Sequence, residues 1–199
     1  MTTYLPTGRL AVMNMTTTKI LDVAEELAQQ AGPNAMSYQQ ISNSVGVRKA
    51  SIHHHFPKKE NLIEALLKRC QISYGDKYRA IVADSGTAPD KLRKLASVFA
   101  DGLQKQQLCL VGTISADLNT LQESSRRILE ETIQETVGIF MEVFIQGQQE
   151  KSLAITGSSE DTAYAFFSFL IGTQISARAC GGVQSFNNST EAIISNWER

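Results

Sequence analysis

The side chains best placed to do chemistry fall in two groups. Between Ser44 and Lys59 stand four bases, Arg48, Lys49, Lys58 and Lys59, and the run His53-His54-His55, with no acid among them. Such a stretch attracts phosphate. Consecutive residues on a helix point about 100° apart, so the three histidines cannot converge on one metal ion. The second candidate chemistry is sulfur. Cys70, Cys109 and Cys180 are odd in number and widely spaced, without a zinc pattern, which fits reduced thiols in a cytosol. The chain carries no phosphate loop, dinucleotide fingerprint, G-x-S-x-G or paired metal motif. With every histidine inside the basic stretch, Cys109 has no identifiable base. No enzyme, metal or cofactor is expected.

The elements that must position the basic residues form a helix-turn-helix. Ser37 caps a first short helix, and Gln40 completes a capping box. Ile41 and Val45 share its inner face, and Gly46 supplies the positive φ that a tight turn needs. A second short helix follows from about Arg48 to His55, with Ile52 and Phe56 inward. Arg48, Lys49, Ser51, His53 and His54 then face outward, and His55 packs or makes a structural hydrogen bond. Two short helices across a tight turn, the second cationic, suit a DNA major groove. Arg48 and Lys58 read equally well as solvated charges or nonspecific phosphate partners.

The rest of the 199 residues is periodic at helical spacing. A helix is expected over 16–31, ended by Gly32-Pro33. Further helices are expected over 58–83, 91–105, 121–149, 161–179 and 190–197, with a short apolar segment at 108–118. Ser85–Pro89 reads as the break between two regions, with Thr87 and Asp90, then Ser158 and Asp161, as caps. Residues 1–15 lack periodicity and form either a flexible arm or a stretch before the true start at Met13 or Met15. The net charge of −1 conceals a polarity. Residues 1–75 hold eight Lys/Arg against five Asp/Glu, and residues 76–199 hold eleven against fifteen. Apolar runs such as 165–171 are far short of a membrane span, so a soluble cytoplasmic protein of all-α fold is expected.

Residues 20–67, ILDVAEELAQQAGPNAMSYQQISNSVGVRKASIHHHFPKKENLIEALL, resemble the TetR/AcrR family of bacterial transcriptional regulators. The likeness lies in a first helix, a small-residue turn, the S/T-x-x-x-I-A pattern, a G-V turn, and a helix ending H-F before K-E-x-L. It implies a three-helix DNA-binding unit at 16–67, following the arm at 1–15. A larger helical ligand-binding and dimerisation domain is implied at 68–199. The implied partners are double-stranded operator DNA, a second copy of the chain and a small-molecule or electrophilic inducer, with no membrane. Ser37 and Tyr38 take positions near phosphate. Lys49, Ala50, Ser51, His53 and His54 take the positions that meet DNA, and Lys59 that of a phosphate-contacting lysine. His53 stands where Tyr is usual. Lys58 stands where Ser, Asn or Asp normally caps the next helix, so that cap is lost or replaced.

From Leu108 the stretch LCLVGTISADLNTLQESSRR resembles the NemR-like, electrophile-responsive members of the family. There a cysteine at the position of Cys109 is a sensor, which requires a thiolate favoured by a helix start or a cation such as Lys105. The alternative is a small packing residue. The expected ligand or redox site comprises Cys109, Phe99, Leu103, Met141, Phe144 and Phe166, with plain core as the other reading of the aromatic group. The family's dimerisation through its last two helices points to Phe167, Leu170, Ile171, Gln174, Arg178, Ile193 and Trp197. Two function classes compete with an inducible repressor: a ligand-binding dimer that has lost DNA binding, and an enzyme using the apolar part.

Overall fold

The computed structural model describes residues 15–199. The expected arm, apart from Met15, lies outside them. The described residues form nine α-helices: α1 (Met15–Ala31), α2 (Tyr38–Val45), α3 (Lys49–His55), α4 (Lys59–Ala83), α5 (Ala88–Gln104), α6 (Leu110–Ala116), α7 (Glu123–Gln149), α8 (Ser159–Ala179) and α9 (Gly182–Trp197). One 3-10 turn, Leu118–Thr120, joins α6 to α7, and no β-strand occurs among the described residues beyond an isolated bridge of Leu153 with Glu198. The fold is all-α.

Local signals set most boundaries. The Ser37 hydroxyl accepts from the Gln40 backbone N–H at 3.2 Å, and Gln40 Oε1 accepts from the Ser37 N–H at 3.0 Å. This completes the capping box of α2. Gly46 takes φ of +76°, its N–H donates to the Ser42 carbonyl, and the Ser42 hydroxyl donates to the Val47 carbonyl at 2.6 Å. The turn is thereby fixed from both sides. At the start of α4 the missing cap is replaced in reverse: Asn61 Oδ1 accepts from the Lys58 N–H at 3.1 Å. Thr87 and Ser158 accept from the N–H groups of Asp90 and Asp161 to cap α5 and α8.

The last helix begins at Gly182, not Thr190. Gly181, at φ +85°, turns the chain between α8 and α9, and Gly182 already opens α9. Phe186, fully buried, anchors its first turns beside Thr190 and Ile194.

One apolar core runs from Ile20 in α1 to Ile194 in α9. Helix α4, about 37 Å long at 1.5 Å per residue, carries that core between the two parts. It packs on α1 near its start and most extensively on α7. The expected boundary between residues 67 and 68 falls inside α4, where Leu66, Leu67 and Cys70 are all buried in the same stripe. Among the described residues no helix is long and apolar enough to cross a membrane.

Candidate DNA-binding face and effector cavity

Helix α3 is anchored by Ile52 and Phe56, both buried, which turns its other side to solvent. Arg48, Lys49, Ala50, His53 and His54 are exposed and Ser51 is half-buried. His55 turns inward, with Nδ1 3.2 Å from the Thr17 hydroxyl. The His53 ring meets Tyr38 edge-on, with centroids 4.7 Å apart. The Tyr38 hydroxyl donates to the Phe56 carbonyl at 2.7 Å, and burial pushes its pKa up to about 12. Its one proton is therefore spent fastening α2 to the end of α3. A phosphate contact by this hydroxyl requires that bond to open. Lys59 Nζ donates to the Asn34 carbonyl at 3.3 Å. Burial lowers its pKa, and the Asp117 carboxylate opposes that change.

In the larger part a cavity of about 40 Å³ opens between α1, α4, α5, α6, α7 and α8; one water needs roughly 10–15 Å³ on this measure. Cys109, Phe99, Phe167 and Gln174 line it, together with Tyr74, Tyr78, Cys70 and Thr136. The other residues expected here lie elsewhere. Leu103, Phe144 and Phe166 are buried core side chains off the cavity wall. Phe144 and Phe166 pack edge-on against Trp197, at 5.5 and 5.7 Å between centroids. Met141 borders a separate shallow groove with Tyr164 on the outer side of α7 and α8.

Three of the expected dimer contacts also face inward. Phe167, Leu170 and Gln174 are buried within their own chain. The Gln174 side chain accepts from the Cys109 N–H at 2.6 Å and donates to the Phe99 carbonyl at 2.8 Å. Arg178, one turn along α8, donates to the Gln30 carbonyl at 2.7 Å, within the last turn of α1. Ile171, Ile193 and Trp197 are half-buried, while Tyr164 and Ile175 are the large apolar side chains left exposed on α8.

Cys109 precedes α6 and is half-buried on the cavity wall. Burial pushes its pKa up, and the backbone N–H groups of Val111 and Gly112 offset this only in part. Cys70 is buried and shifted up for the same reason. The phenols of Tyr74 and Tyr78 are likewise held protonated by burial, Tyr74 with a pKa of about 12. Among the described residues no three His, Cys, Asp or Glu side chains gather as a metal-ligand set.

Sequence reasoning missed Tyr74, Tyr78 and Thr136 as cavity residues. Their signal was available as polar interruptions one turn apart on apolar stripes: Tyr74 with Tyr78 on α4, and Thr132 with Thr136 on α7.

A helix-turn-helix on a short N-terminal bundle, fused through one long helix to a helical domain with an internal cavity, defines a DNA-binding regulator with an effector domain. The model of the bacterial regulatory proteins of the tetR family matches residues 20–66, the part of the chain that carries the helix-turn-helix. The chain is 33% identical over 66 residues to the repressor KstR2 of Rhodococcus jostii, a match spanning 33% of this chain and 32% of KstR2. It is 22% identical over 178 residues to the repressor NemR of Escherichia coli, covering 85% of this chain and 87% of NemR. A TetR-family regulator from Agrobacterium tumefaciens superposes with a TM-score of 0.88 at 24% identity, covering 92% of this chain and 98% of that one.

Proposed function

We propose that the protein is a cytoplasmic, non-enzymatic repressor that binds operator DNA as a homodimer and is released when an inducer occupies the cavity. In this reading Lys49, Ala50, Ser51, His53 and His54 meet base edges or nearby phosphates and Ser37, Arg48 and Lys59 meet the backbone, while Tyr38 lies beside the backbone with its hydroxyl held by Phe56. The homodimer forms across the outer faces of α8 and α9. There Tyr164, Ile171, Ile175 and Ile193 offer apolar surface beside the small residues Ala165, Ser168 and Gly172.

The observation that carries this reading is how α1 ends. Its Gln29 carbonyl accepts from the Leu108 N–H at 3.0 Å, and its Gln30 carbonyl accepts from Arg178. Leu108 lines the cavity and adjoins Cys109. Displacement of the cavity wall therefore acts directly on the first helix of the DNA-binding unit. Two half-sites about one DNA turn apart tolerate little change in the separation of two recognition helices. An inducer must bind the DNA-free arrangement more tightly, or no release follows.

The test is a gel-shift titration with DNA flanking the protein's own gene. A salt-dependent shift is expected; no shift at low salt with any such fragment overturns the proposal. A second reading, covalent sensing by Cys109, is supported by the likeness to NemR, but the raised pKa of this half-buried thiol counts against a ready thiolate.

A further inference from the structure

The cavity wall holds no Asp, Glu, Lys, Arg or His side chain. A carboxylate or ammonium entering it would lose its hydration with no counter-charge in return. The polar groups on the wall are mostly committed to one another. Gln174 bonds to Cys109 and Phe99, and the Thr132 and Thr136 hydroxyls donate to carbonyls one turn back at 2.7 and 2.8 Å. The Tyr74 oxygen accepts from Gln29 at 3.3 Å.

Among the hydroxyls on the wall, that of Tyr78 alone has neither a donor nor an acceptor beside it. Tyr78 is 5% exposed, and its ring is fixed edge-on to Phe140 at 5.2 Å and parallel to Phe99 at 6.5 Å. Its hydroxyl has no hydrogen-bond partner among the described residues. No polar side-chain atom among them is both sealed in and unpaired, so this hydroxyl opens on the cavity that Tyr78 lines. It is a rigidly held donor with nothing to donate to.

We infer that the cavity takes a small uncharged ligand bearing a hydrogen-bond acceptor such as a ketone carbonyl, and that the Tyr78 hydroxyl recognises that acceptor. The inference rests on the reading of this cavity as the effector site. It specifies reversible recognition at a phenol and needs no bond to sulfur. A charged ligand finds no counter-charge at Tyr78 or elsewhere on the wall.

Calorimetric titration of the full-length chain with four probes of one shape tests this: cyclohexanone, methylenecyclohexane, cyclohexanecarboxylate and cyclohexylammonium. Cyclohexanone is expected to bind about three- to tenfold more tightly than methylenecyclohexane, the range of one hydrogen bond. Neither ion is expected to saturate. In Tyr78→Phe, which keeps the ring, cyclohexanone should fall to the affinity of methylenecyclohexane, whose own binding stays unchanged. No binding of cyclohexanone, or an unaltered preference for it in Tyr78→Phe, overturns the inference. A Val98→Phe variant that fills the cavity separates the site from the ligand class. If an ion binds the wild type as well as cyclohexanone does and Val98→Phe abolishes both, the site stands and the ligand class falls. If Val98→Phe binds cyclohexanone like wild type, the probe sits elsewhere and the cavity reading falls with the inference.

Discussion

The Cys109 backbone N–H donates to Gln174 Oε1 at 2.6 Å, across 65 residues of sequence. The same carboxamide reaches the Phe99 carbonyl through its other end. A single side chain on α8 thus ties α5 at Phe99 to the start of α6 at the cavity wall. Arg178, four residues on, reaches α1. Helix α8 therefore touches both the proposed ligand site and the DNA-binding unit with side chains one turn apart.

Gln174→Leu keeps much of the volume and removes both hydrogen-bonding ends. The Cys109 N–H and the Phe99 carbonyl would then be left without this partner in a buried site, at a cost of about 1–3 kcal/mol. Urea unfolding of wild type and variant measures it. A loss below a few tenths would show that the wall relaxes around the missing amide.

Arg178→Met should behave differently. Arg178 is exposed, and water can take over the Gln30 carbonyl, so unfolding free energy should change by less than about 1 kcal/mol. DNA affinity, or its response to a cavity ligand, should change nonetheless, because a strut between α8 and α1 is gone. Titration of operator DNA with and without ligand reads this. Unchanged values in both would remove Arg178 from the coupling.

Thiol reactivity should follow burial. Iodoacetamide at pH 7 is expected to label exposed Cys180 first, Cys109 slowly and Cys70 last. A raised pKa leaves less thiolate at neutral pH, so the Cys109 rate should keep climbing beyond the pH at which an ordinary thiol levels off. Mass spectrometry of timed digests gives the order. If Cys109 proved fastest, the electrophile-sensing reading would gain, and Cys109→Ser should then stay on DNA when an electrophile releases wild type.

The parts legible in the sequence were those set by neighbours in the chain. The Ser37–Gln40 box, the Gly46 turn and the inward pair Ile52 and Phe56 each follow from spacing of four residues or fewer. Helix α8 shows why the remainder was not. It carries Phe166, Phe167, Phe169, Leu170, Ile171 and Ile175 nearly all round, so periodicity names no single inner face. Which side meets α5, α7 and α9 depends on helices far away in sequence, and the inward side took Phe167, Leu170 and Gln174. The Phe144 and Phe166 pair likewise satisfied the pattern of a pocket lining, yet Trp197 covers it from α9. The cavity itself is assembled from six helices, and no local pattern encodes their meeting point.

Acid should loosen the contact between α5 and α9. Hydrogen bonds from Arg93, and secondarily Ser195, hold the Glu191 carboxyl down to about 2 from its ordinary 4.5. A carboxyl depressed in the folded state stabilises the fold above its unfolded pKa, and that contribution drains away as pH falls from about 4.5 towards 2. Glu191 is half exposed, so solvent keeps the effect small. Arg93→Met should melt lower than wild type at pH 7, and the gap should narrow as the pH approaches 2.5. A constant gap would mean that the arginine acts through packing alone.

The proposed DNA face makes a prediction that separates Tyr38 from the lysines. Removing one phosphate-neutralising side chain should reduce the slope of log affinity against log salt by about 0.9. Lys59→Ala is therefore expected to weaken binding similarly on operator and unrelated DNA and to flatten the slope by about that amount. Lys49→Ala, on the exposed side of α3, should cost about 1–3 kcal/mol on the operator and less on other sequences if it reads a base. Tyr38→Phe removes a hydroxyl already committed to Phe56, so about 0.5–1.5 kcal/mol of stability should go while the slope stays as in wild type. Fluorescence anisotropy across a salt series, paired with thermal melts, resolves all three. An equal loss of affinity for operator and unrelated DNA in Tyr38→Phe, at unchanged slope, would mean that the hydroxyl leaves Phe56 and turns to phosphate on binding.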